Sequence, residues 1–233
     1  MKLIICAGPA TTGKTAVLRH LAKRLLAHEH KIAFLKLDVQ FAEEDEQLAA
    51  ELGIATRKVY SGELCPDHCS VMVMGDALSW AARVGADILM VETAGLCLRC
   101  SPYVDNGLGM VVIEATSGMN LPLKIGPMLS LADVAVVTKV DRVSQAEREV
   151  FRARIMEVAP KVLIREVDAL HGIGIDPLVD RVLKSPEAVM PMKLRGNPPV
   201  GTCTICVGKK DIGWQSHFGV VRPLENQTFY RGE

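Results

Sequence analysis

The chain has 233 residues, 49% of them hydrophobic and 23% charged, and it contains 27 basic and 27 acidic residues. This length allows one large hydrophobic core with a small appendage, but not two full domains. The balanced charge offers no basic surface for nucleic acid or for an anionic membrane, so neither partner is expected. The amino-terminal run LIICA is too short for a signal peptide or a membrane span, and we expect a cytoplasmic protein.

Apolar runs that are typical of buried strands alternate with helical patterns along the chain. The runs are KLIICA, KIAFLKLD, ADILMVE, GMVVIEA, DVAVVTK and KVLIREV. Continuous apolar strands separated by helices predict a mainly parallel sheet with helices on both faces. We therefore predict an α/β fold.

The first strand is followed by a glycine-rich loop, GPATTGKT, that fits the phosphate-binding pattern G-x-x-x-x-G-K-S/T. A helix is expected to begin near Lys14, so backbone amides of the loop and of the helix N-terminus can surround phosphates. Lys14 would neutralise phosphate oxygens and Thr15 would bind Mg²⁺, as in a P-loop NTPase. The other predicted contacts are Gly8, Thr11, Thr12 and Gly13. The alternative is a glycine turn with an incidental lysine.

Acidic residues end two of the predicted strands. Glu92 ends ADILMVE and Asp38 ends KIAFLKLD, and either carboxylate can hold Mg²⁺ through water. Gly95, in the E-x-x-G segment that Glu92 opens, can present its amide to a γ-phosphate. With Lys14 and Thr15, the two carboxylates form the predicted catalytic set, and no residue can be assigned as a base for the attacking water. The alternative for both acids is a solvated strand end.

The strand DVAVVTK runs into the segment TKVD, which is placed like the guanine-specificity motif of GTPases, usually written N-K-x-D. Asp141 can accept hydrogen bonds from guanine N1–H and the 2-amino group, a donor pair that adenine lacks. Lys139 can cover the base or brace the loop, and Thr138 stands where Asn is usual. The alternative is an ordinary strand-end loop.

A helix is predicted within SQAEREVFRARIMEVAP. Ser144 and Glu147 have the spacing of a capping box at its start. Val150, Ile155 and Val158 can share one buried side.

The regular pattern breaks after about Lys184 into a segment rich in proline and glycine. We predict a P-loop GTPase domain over residues 1–185 and a carboxy-terminal extension over residues 186–233, which carries a CxxC motif.

Six of the seven cysteines form closely spaced pairs: Cys65/Cys69, Cys97/Cys100 and Cys203/Cys206. Two thiolates at such spacing can bind one metal ion, and four ligands complete a tetrahedral site. Cys6 lies in the first strand and is expected to be a small buried hydrophobic residue. His68 is either a further ligand or a surface histidine.

The phosphate loop, Asp38, the segment CPDHC, the segment ETAG and TKVD follow one another in an order and spacing that resemble the nickel-chaperone GTPases. These are the hydrogenase nickel-incorporation and urease-accessory proteins, and the resemblance covers roughly residues 1–185. It implies a GTPase that forms a homodimer around nucleotide, holds metal at the dimer interface and delivers it to a client metalloenzyme. Cys65 matches the family cysteine, whereas His68 is displaced from the usual position beside Pro66 and Cys69 is an additional thiol.

A CxxC motif directly after E-x-x-G departs from those nickel chaperones, as does the carboxy-terminal GTCTIC. Four thiolates from Cys97, Cys100, Cys203 and Cys206 suit zinc or a 4Fe–4S cluster as well as nickel. The last pair could instead form a separate zinc knuckle. If Gly95 senses the γ-phosphate, the loop that carries Cys97 and Cys100 should differ between the GTP and GDP states.

Three functions are consistent with these features. The leading hypothesis is a metallochaperone or maturation factor that hydrolyses GTP slowly, with Mg²⁺ as cofactor, and that works with a client enzyme or its assembly factors. The second is an iron–sulfur ATPase that transfers electrons to a partner protein. The third is a P-loop scaffold in which the cysteines are structural.

Overall fold

The computed structural model describes residues 1–39, 42–61, 65–95, 100–196 and 210–213. Its strands are β1 Lys2–Ala7, β2 Ile32–Asp38, β3 Ala55–Tyr60, β4 Ile88–Glu92, β5 Leu108–Glu114, β6 Val134–Thr138 and β7 Leu163–Glu166. Its α-helices are α1 Lys14–Ala27, α2 Glu44–Leu52, α3 Pro66–Arg83, α4 Leu121–Lys124, α5 Gly126–Ser130, α6 Gln145–Val158 and α7 Asp176–Leu183. Within the described ranges, no helix is both long and apolar enough to cross a membrane.

The strands form one seven-stranded sheet in the order β3-β2-β4-β1-β5-β6-β7, and all six strand pairs are parallel. The prediction of a parallel α/β fold is thereby confirmed. Because every strand runs the same way, the residues that end β1, β2, β4, β5 and β6 meet at the carboxyl-terminal edge of the sheet. That edge carries the predicted nucleotide residues.

Each face of the sheet is covered by helices. On one face, β-strand residues such as Ile4 and Cys6 pack with leucines and valines of α1 and α7. On the other face, Leu3 and Ile5 pack with α3, α5 and α6. Successive residues of each strand point to opposite faces of the sheet. Because helices cover both faces, the strand sequences are continuously hydrophobic.

The edge strand β3 was not predicted from the sequence. Its residues ATRKVY are mostly only partly buried, so the segment lacks the continuous apolar run of the inner strands. Lys58 pairs with Asp45 and Glu46 of α2 at 3.1 and 2.8 Å, and the Arg57 guanidinium lies 5.8 Å from the ring centre of Trp80. The polar side chains of β3 therefore attach it to neighbouring helices.

Helix α6 begins with the predicted capping box, in which the Ser144 hydroxyl accepts from the Glu147 amide and the Glu147 carboxylate accepts from the Ser144 amide. One part of the predicted buried face was wrong. Val150 is 48% exposed, and Phe151, at 1%, takes the core position beside the fully buried Ile155.

Residues 186–196 lie against the α/β domain. Met192 and Leu194 are buried in the same apolar cluster as α3. The Arg195 guanidinium donates to the carbonyl oxygens of Val104, Leu131 and Gly107 and to the Asp133 carboxylate, at 2.5 to 2.9 Å. The first part of the predicted extension thus packs on the domain, while its boundary at residue 185 stays a prediction.

Candidate functional site

The phosphate loop turns sharply from β1 into α1 and passes close to neighbouring backbone. Gly8 has φ 145°, and a Cβ at this position would overlap the carbonyl oxygen of Val112 on β5. Gly13 has φ 90° at the start of α1. These positions favour glycine, because L-residues with a side chain rarely adopt such angles, and at Gly8 the space is also taken.

Lys14 folds back over the loop. Its ammonium donates to the carbonyl oxygens of Gly8 and Pro9 at 3.0 and 2.9 Å, and the residue is only 6% exposed. Burial lowers the pKa of Lys14, and the nearby Glu92 carboxylate opposes that shift. The Thr12 hydroxyl also donates to the Pro9 carbonyl, at 2.9 Å. Phosphate oxygens could replace the loop carbonyls as partners of the ammonium.

Glu92, at the end of β4, faces the start of α1. The Thr15 hydroxyl donates to Glu92 Oε1 at 2.9 Å, and Glu92 is 1% exposed, so the alternative of a solvated acid is wrong. Glu92 Oε2 is buried and has no hydrogen-bond partner among the described residues. A carboxylate oxygen without a donor, beside a threonine hydroxyl, fits a hydrated Mg²⁺. The magnesium role of Thr15 and Glu92 stays a prediction.

Asp38 ends β2 at the same edge and is more exposed, with 27% of its side chain accessible. Its carboxylate accepts from the Val39 amide at 2.7 Å. Lys36, two residues earlier on the same strand, was missed by the sequence analysis although it places an ammonium 2.7 Å from Glu92 Oε1. The available signal was a lysine inside an otherwise apolar strand.

Gly95 lies directly against the phosphate loop. Its φ is 76°, and a Cβ there would overlap the Gly8 carbonyl oxygen and come within 2.9 Å of the Lys14 ammonium. The structure therefore brings the ETAG segment to the phosphate-binding loop, as expected for a γ-phosphate contact. The contact itself stays a prediction.

The segment TKVD lies beside the same loop. The buried Thr138 hydroxyl donates to the Thr12 carbonyl at 2.7 Å. Lys139, with φ 55°, donates to the Thr11 carbonyl at 3.2 Å and forms an ion pair with Glu114, the last residue of β5. Asp141 lies exposed in the turn Val140–Arg142, where its carboxylate is accessible to a base.

A second loop beside the phosphate site, residues 168–174, was also missed. The Ala169 methyl lies 3.6 Å from where a Gly13 Cβ would stand. Asp168 accepts from the amides of Leu170 and His171 at 2.9 and 3.1 Å, and Arg24 of α1 donates to the Gly172 carbonyl at 3.1 Å. The signal was the pair of glycines in HGIG, shortly after the end of the last predicted strand.

The described candidate metal ligands lie at two places. Cys65 precedes the first residue of α3, and one turn later Cys69 is 1% exposed, with its amide bonded to the Cys65 carbonyl at 3.0 Å. Burial, with a smaller contribution from Cys65, raises the pKa of Cys69 to about 12. His68 is 1% exposed, so the alternative of a surface histidine is wrong. Cys100 is also buried, with 9% of its surface exposed.

Three of the predicted metal ligands, Cys97, Cys203 and Cys206, lie outside the described residues. Over the part of the chain that the structure describes, no three His, Cys, Asp or Glu side chains are grouped so that they could hold a metal ion. The predicted pairing of the CxxC motifs therefore stays a prediction. Cys6 is fully buried in β1, as predicted for a small hydrophobic residue.

Residues 2–165 match the sequence pattern of a protein family described as CobW/HypB/UreG, nucleotide-binding domain. The chain belongs to the CobW/HypB/UreG family. The predicted resemblance to the hydrogenase and urease nickel chaperones is thus confirmed as family membership. The phosphate loop, Gly95 and TKVD all lie within the matched residues.

Relatives of this CobW/HypB/UreG protein cover most of its length. An uncharacterized protein of Methanocaldococcus jannaschii is 40% identical over 235 residues, which span 100% of both chains. Urease accessory protein UreG 2 of Streptomyces griseus is 27% identical over 195 residues, which cover 73% of this chain and 81% of its own. HypB from Helicobacter pylori, crystallised in complex with nickel, has a TM-score of 0.63 at 17% identity, over 79% of this chain and 86% of its own. At that identity the structural likeness concerns the fold alone.

Proposed function

We propose that this chain is a GTP-dependent metallochaperone, which binds a transition-metal ion through cysteines and delivers it to a client metalloenzyme or to that enzyme's assembly factors. One observation carries the proposal. Gly95 lies against Gly8 and Lys14 of the phosphate loop, and it precedes Cys97 by only two residues in the chain. A change at the terminal phosphate therefore has a short covalent path to a candidate metal ligand.

The nucleotide would bind where Lys14 contacts loop carbonyls. Phosphate oxygens would replace these carbonyls as acceptors of the Lys14 ammonium, and backbone amides at the start of α1 would surround the phosphates. Thr15 and Glu92 would hold Mg²⁺, with Asp38 nearby, and the ion would supply neutralisation of the phosphate charge. Slow hydrolysis would serve as a release switch, and positioning and charge stabilisation would supply most of its acceleration.

Guanine selection is assigned to TKVD. The exposed Asp141 carboxylate can accept from both guanine donors, and adenine lacks that pair. Thr138 supports the site by holding the Thr12 carbonyl at 2.7 Å. Asp141→Ala should therefore weaken GTP binding and leave ATP binding unchanged, which competition against a fluorescent GTP analogue measures. Equal losses for both nucleotides would contradict guanine selection.

The transition metal is cargo in this proposal, bound for delivery and then released. Cys65, Cys97 and Cys100 are the first candidates, because burial raises the pKa of the Cys69 thiol to about 12 and so makes its thiolate harder to form. Nickel is favoured over zinc by the resemblance to the nickel-chaperone GTPases, and a neighbour in fold, HypB from Helicobacter pylori, was crystallised in complex with nickel. We propose a homodimer in which both subunits contribute ligands to the metal.

Equilibrium dialysis with Ni²⁺ and with Zn²⁺ tests this function in three states: without nucleotide, with GDP, and with a non-hydrolysable GTP analogue. We expect the bound metal per chain to differ between the two nucleotides. Cys97→Ala should abolish the difference. Cys6→Ala removes a thiol outside the pairs and is the matched control, which should retain it.

Two results would contradict the proposal. The first is metal binding no higher than background in all three states, and the second is identical binding with GDP and with the GTP analogue. Anaerobic purification distinguishes this proposal from the main alternative, because a brown protein that prefers ATP would indicate the iron–sulfur ATPase.

A further inference from the structure

Lys36 is a buried lysine near the carboxyl end of β2, the strand beside the edge strand β3. It lies on β2 directly opposite Glu92 of β4 in the strand register, and its side chain is 4% exposed. Its ammonium is 2.7 Å from Glu92 Oε1, 3.6 Å from Glu44 Oε1 and 3.7 Å from Asp38 Oδ2. The side chain thus joins the end of β4 to the end of β2 and the start of α2.

The surroundings keep this ammonium charged. The carboxylates of Glu92, Glu44 and Asp38 all lie within 3.7 Å of it and offset the cost of burying its charge. The Glu92 carboxylate is equally enclosed, with 2% of its side chain exposed. Each group is therefore the main compensation for burying the other, and removing one leaves an unpaired charge in the interior.

The same carboxylate is the one assigned to Mg²⁺ in the proposed nucleotide site. Glu92 Oε1 already accepts from Thr15 at 2.9 Å and from Lys36 at 2.7 Å, while Oε2 has no hydrogen-bond partner among the described residues. A divalent cation that engages Glu92 would come close to the Lys36 ammonium. The two positive charges would repel each other strongly, because Lys36 and Glu92 are buried where the effective dielectric constant is low.

We propose that Lys36 is a positioning residue that acts as the counter-ion of Glu92 before Mg²⁺ binds, and that Mg²⁺ must compete with it. When the ion and nucleotide bind, the ammonium transfers its main contact to Glu44 and Asp38, which already lie within 3.7 Å. Lys36 thereby sets the Mg²⁺ concentration that tight nucleotide binding needs, and it links that event to the start of α2. The inference rests on the proposed nucleotide site but not on the metal cargo.

The direct test is the affinity of a fluorescent GTP analogue for wild-type protein and for Lys36→Met, measured over a range of Mg²⁺ concentrations and in EDTA. Without the competing charge, the half-saturating Mg²⁺ concentration should fall roughly tenfold. Affinity in EDTA should change little. Lys58→Met is the matched control, because Lys58 also joins a strand to acids of α2 but pairs with Asp45 and Glu46, and it should leave the Mg²⁺ requirement unchanged.

A second pair of variants predicts the opposite sign. Glu44→Gln removes an alternative partner of the ammonium, so Lys36 should hold Glu92 more firmly and the half-saturating Mg²⁺ concentration should rise. Glu46→Gln is its control on the same helix, since Glu46 pairs with Lys58 instead. Glu44 is 39% exposed on its side chain, so the protein is expected to fold even where Lys36→Met does not.

Nucleotide-free protein gives a readout that needs no ligand. Lys36→Met should lower the Tm, and the double variant Lys36→Met/Glu92→Gln should recover most of the loss by removing the unpaired charge. An unchanged or higher Mg²⁺ requirement in folded Lys36→Met would overturn the proposal, as would equal effects of Glu44→Gln and Glu46→Gln. Equal loss of affinity with Mg²⁺ and with EDTA would assign Lys36 to the phosphates and overturn it too. Wild-type protein that binds no nucleotide would instead refute the proposed function itself.

Discussion

Single glycines decide how closely the phosphate loop and the ETAG segment approach each other. Gly8 and Gly95 both have positive φ, and each lies against backbone that a Cβ would overlap. Gly53 also has positive φ but faces open space within the described residues. A side chain at Gly8 or Gly95 would both strain the backbone and overlap a neighbour, whereas at Gly53 it would only strain the backbone.

Gly95→Ala is therefore expected to disrupt the site, whereas Gly53→Ala is the matched control. The added methyl should push the ETAG segment away from Gly8 and Lys14, so that affinity for a GTP analogue falls roughly tenfold or more. Gly53→Ala should cost about 1 kcal/mol of stability through its backbone conformation and leave affinity unchanged. Fluorescence anisotropy and thermal unfolding measure the two effects, and equal affinities for both variants would contradict the placement.

Thr138 stands where the predicted guanine motif usually has asparagine, and its buried hydroxyl donates to the Thr12 carbonyl. Thr138→Ala removes the 2.7 Å hydrogen bond to the Thr12 carbonyl and should weaken nucleotide binding by about 1 kcal/mol. Thr138→Ser keeps the hydroxyl and should bind nucleotide nearly as well as the wild type. Titration of both variants with the same fluorescent nucleotide checks this, and a Ser variant as weak as Ala would show that the methyl group matters instead.

In helix α6, local sequence determines where the helix begins, and packing determines which face is buried. The capping box depends on residues three positions apart, so it could be predicted from the sequence alone. The buried face depends on how the helix rotates against the sheet. The structure buries Phe151 and leaves Val150 48% exposed.

Ser144→Ala should lower the free energy of unfolding by about 1 kcal/mol, because an amide at the start of α6 loses its acceptor. Ser79→Ala is the control: Ser79 is exposed inside α3 and its hydroxyl donates to the Gly75 carbonyl at 3.0 Å. That change should stay within about 0.5 kcal/mol of wild type, since alanine is the better helix former. Urea denaturation of both variants measures the difference, and similar costs would refute the capping role.

The edge strand β3 is attached by charge, and this gives a pH dependence. Partial burial by itself would lower the pKa of Lys58, but the bonds to Glu46 and Asp45 raise it to about 12. A raised pKa in the folded state means that the stabilisation is complete below the unfolded value near 10.5 and is lost as pH rises through about 12. The stability difference between wild type and Lys58→Met should therefore shrink over that alkaline range. Denaturation at several pH values tests it, and a constant difference would contradict the ion pairs.

Across the molecule, Arg195 ties the chain beyond α7 to the sheet. Its guanidinium reaches three carbonyl oxygens and Asp133, so Arg195→Met should destabilise the protein by about 2 kcal/mol. Arg181 also approaches Asp133, but at 3.7 Å and with 40% of its side chain exposed, so Arg181→Met should cost less than about 0.5 kcal/mol. Thermal unfolding compares the two, and equal costs would contradict the anchoring role of Arg195.

The nucleotide-site motifs and six of the seven strands could be predicted because their physical causes are local. A phosphate loop needs glycine and lysine at fixed spacing, and a strand buried on both faces needs a continuous apolar run. The edge strand β3 lacks that run, because it is only partly buried. The loop of residues 168–174 was missed because its glycine pair is a weak signal by itself, and only its contacts with Gly13 and with Arg24 of α1 place it beside the phosphate loop.

The amino-acid sequence by itself determined the parallel α/β fold, the phosphate loop, the order of the nucleotide motifs and the cysteine spacing. Only the tertiary structure decided which residues meet: Gly95 against Gly8, Thr138 against Thr12, and Lys36 opposite Glu92. The reason is that strand order and register set these contacts, and both follow from how the whole core packs. A lysine in β2 and a glutamate in β4 are 56 positions apart in the chain, yet they are neighbours in the sheet.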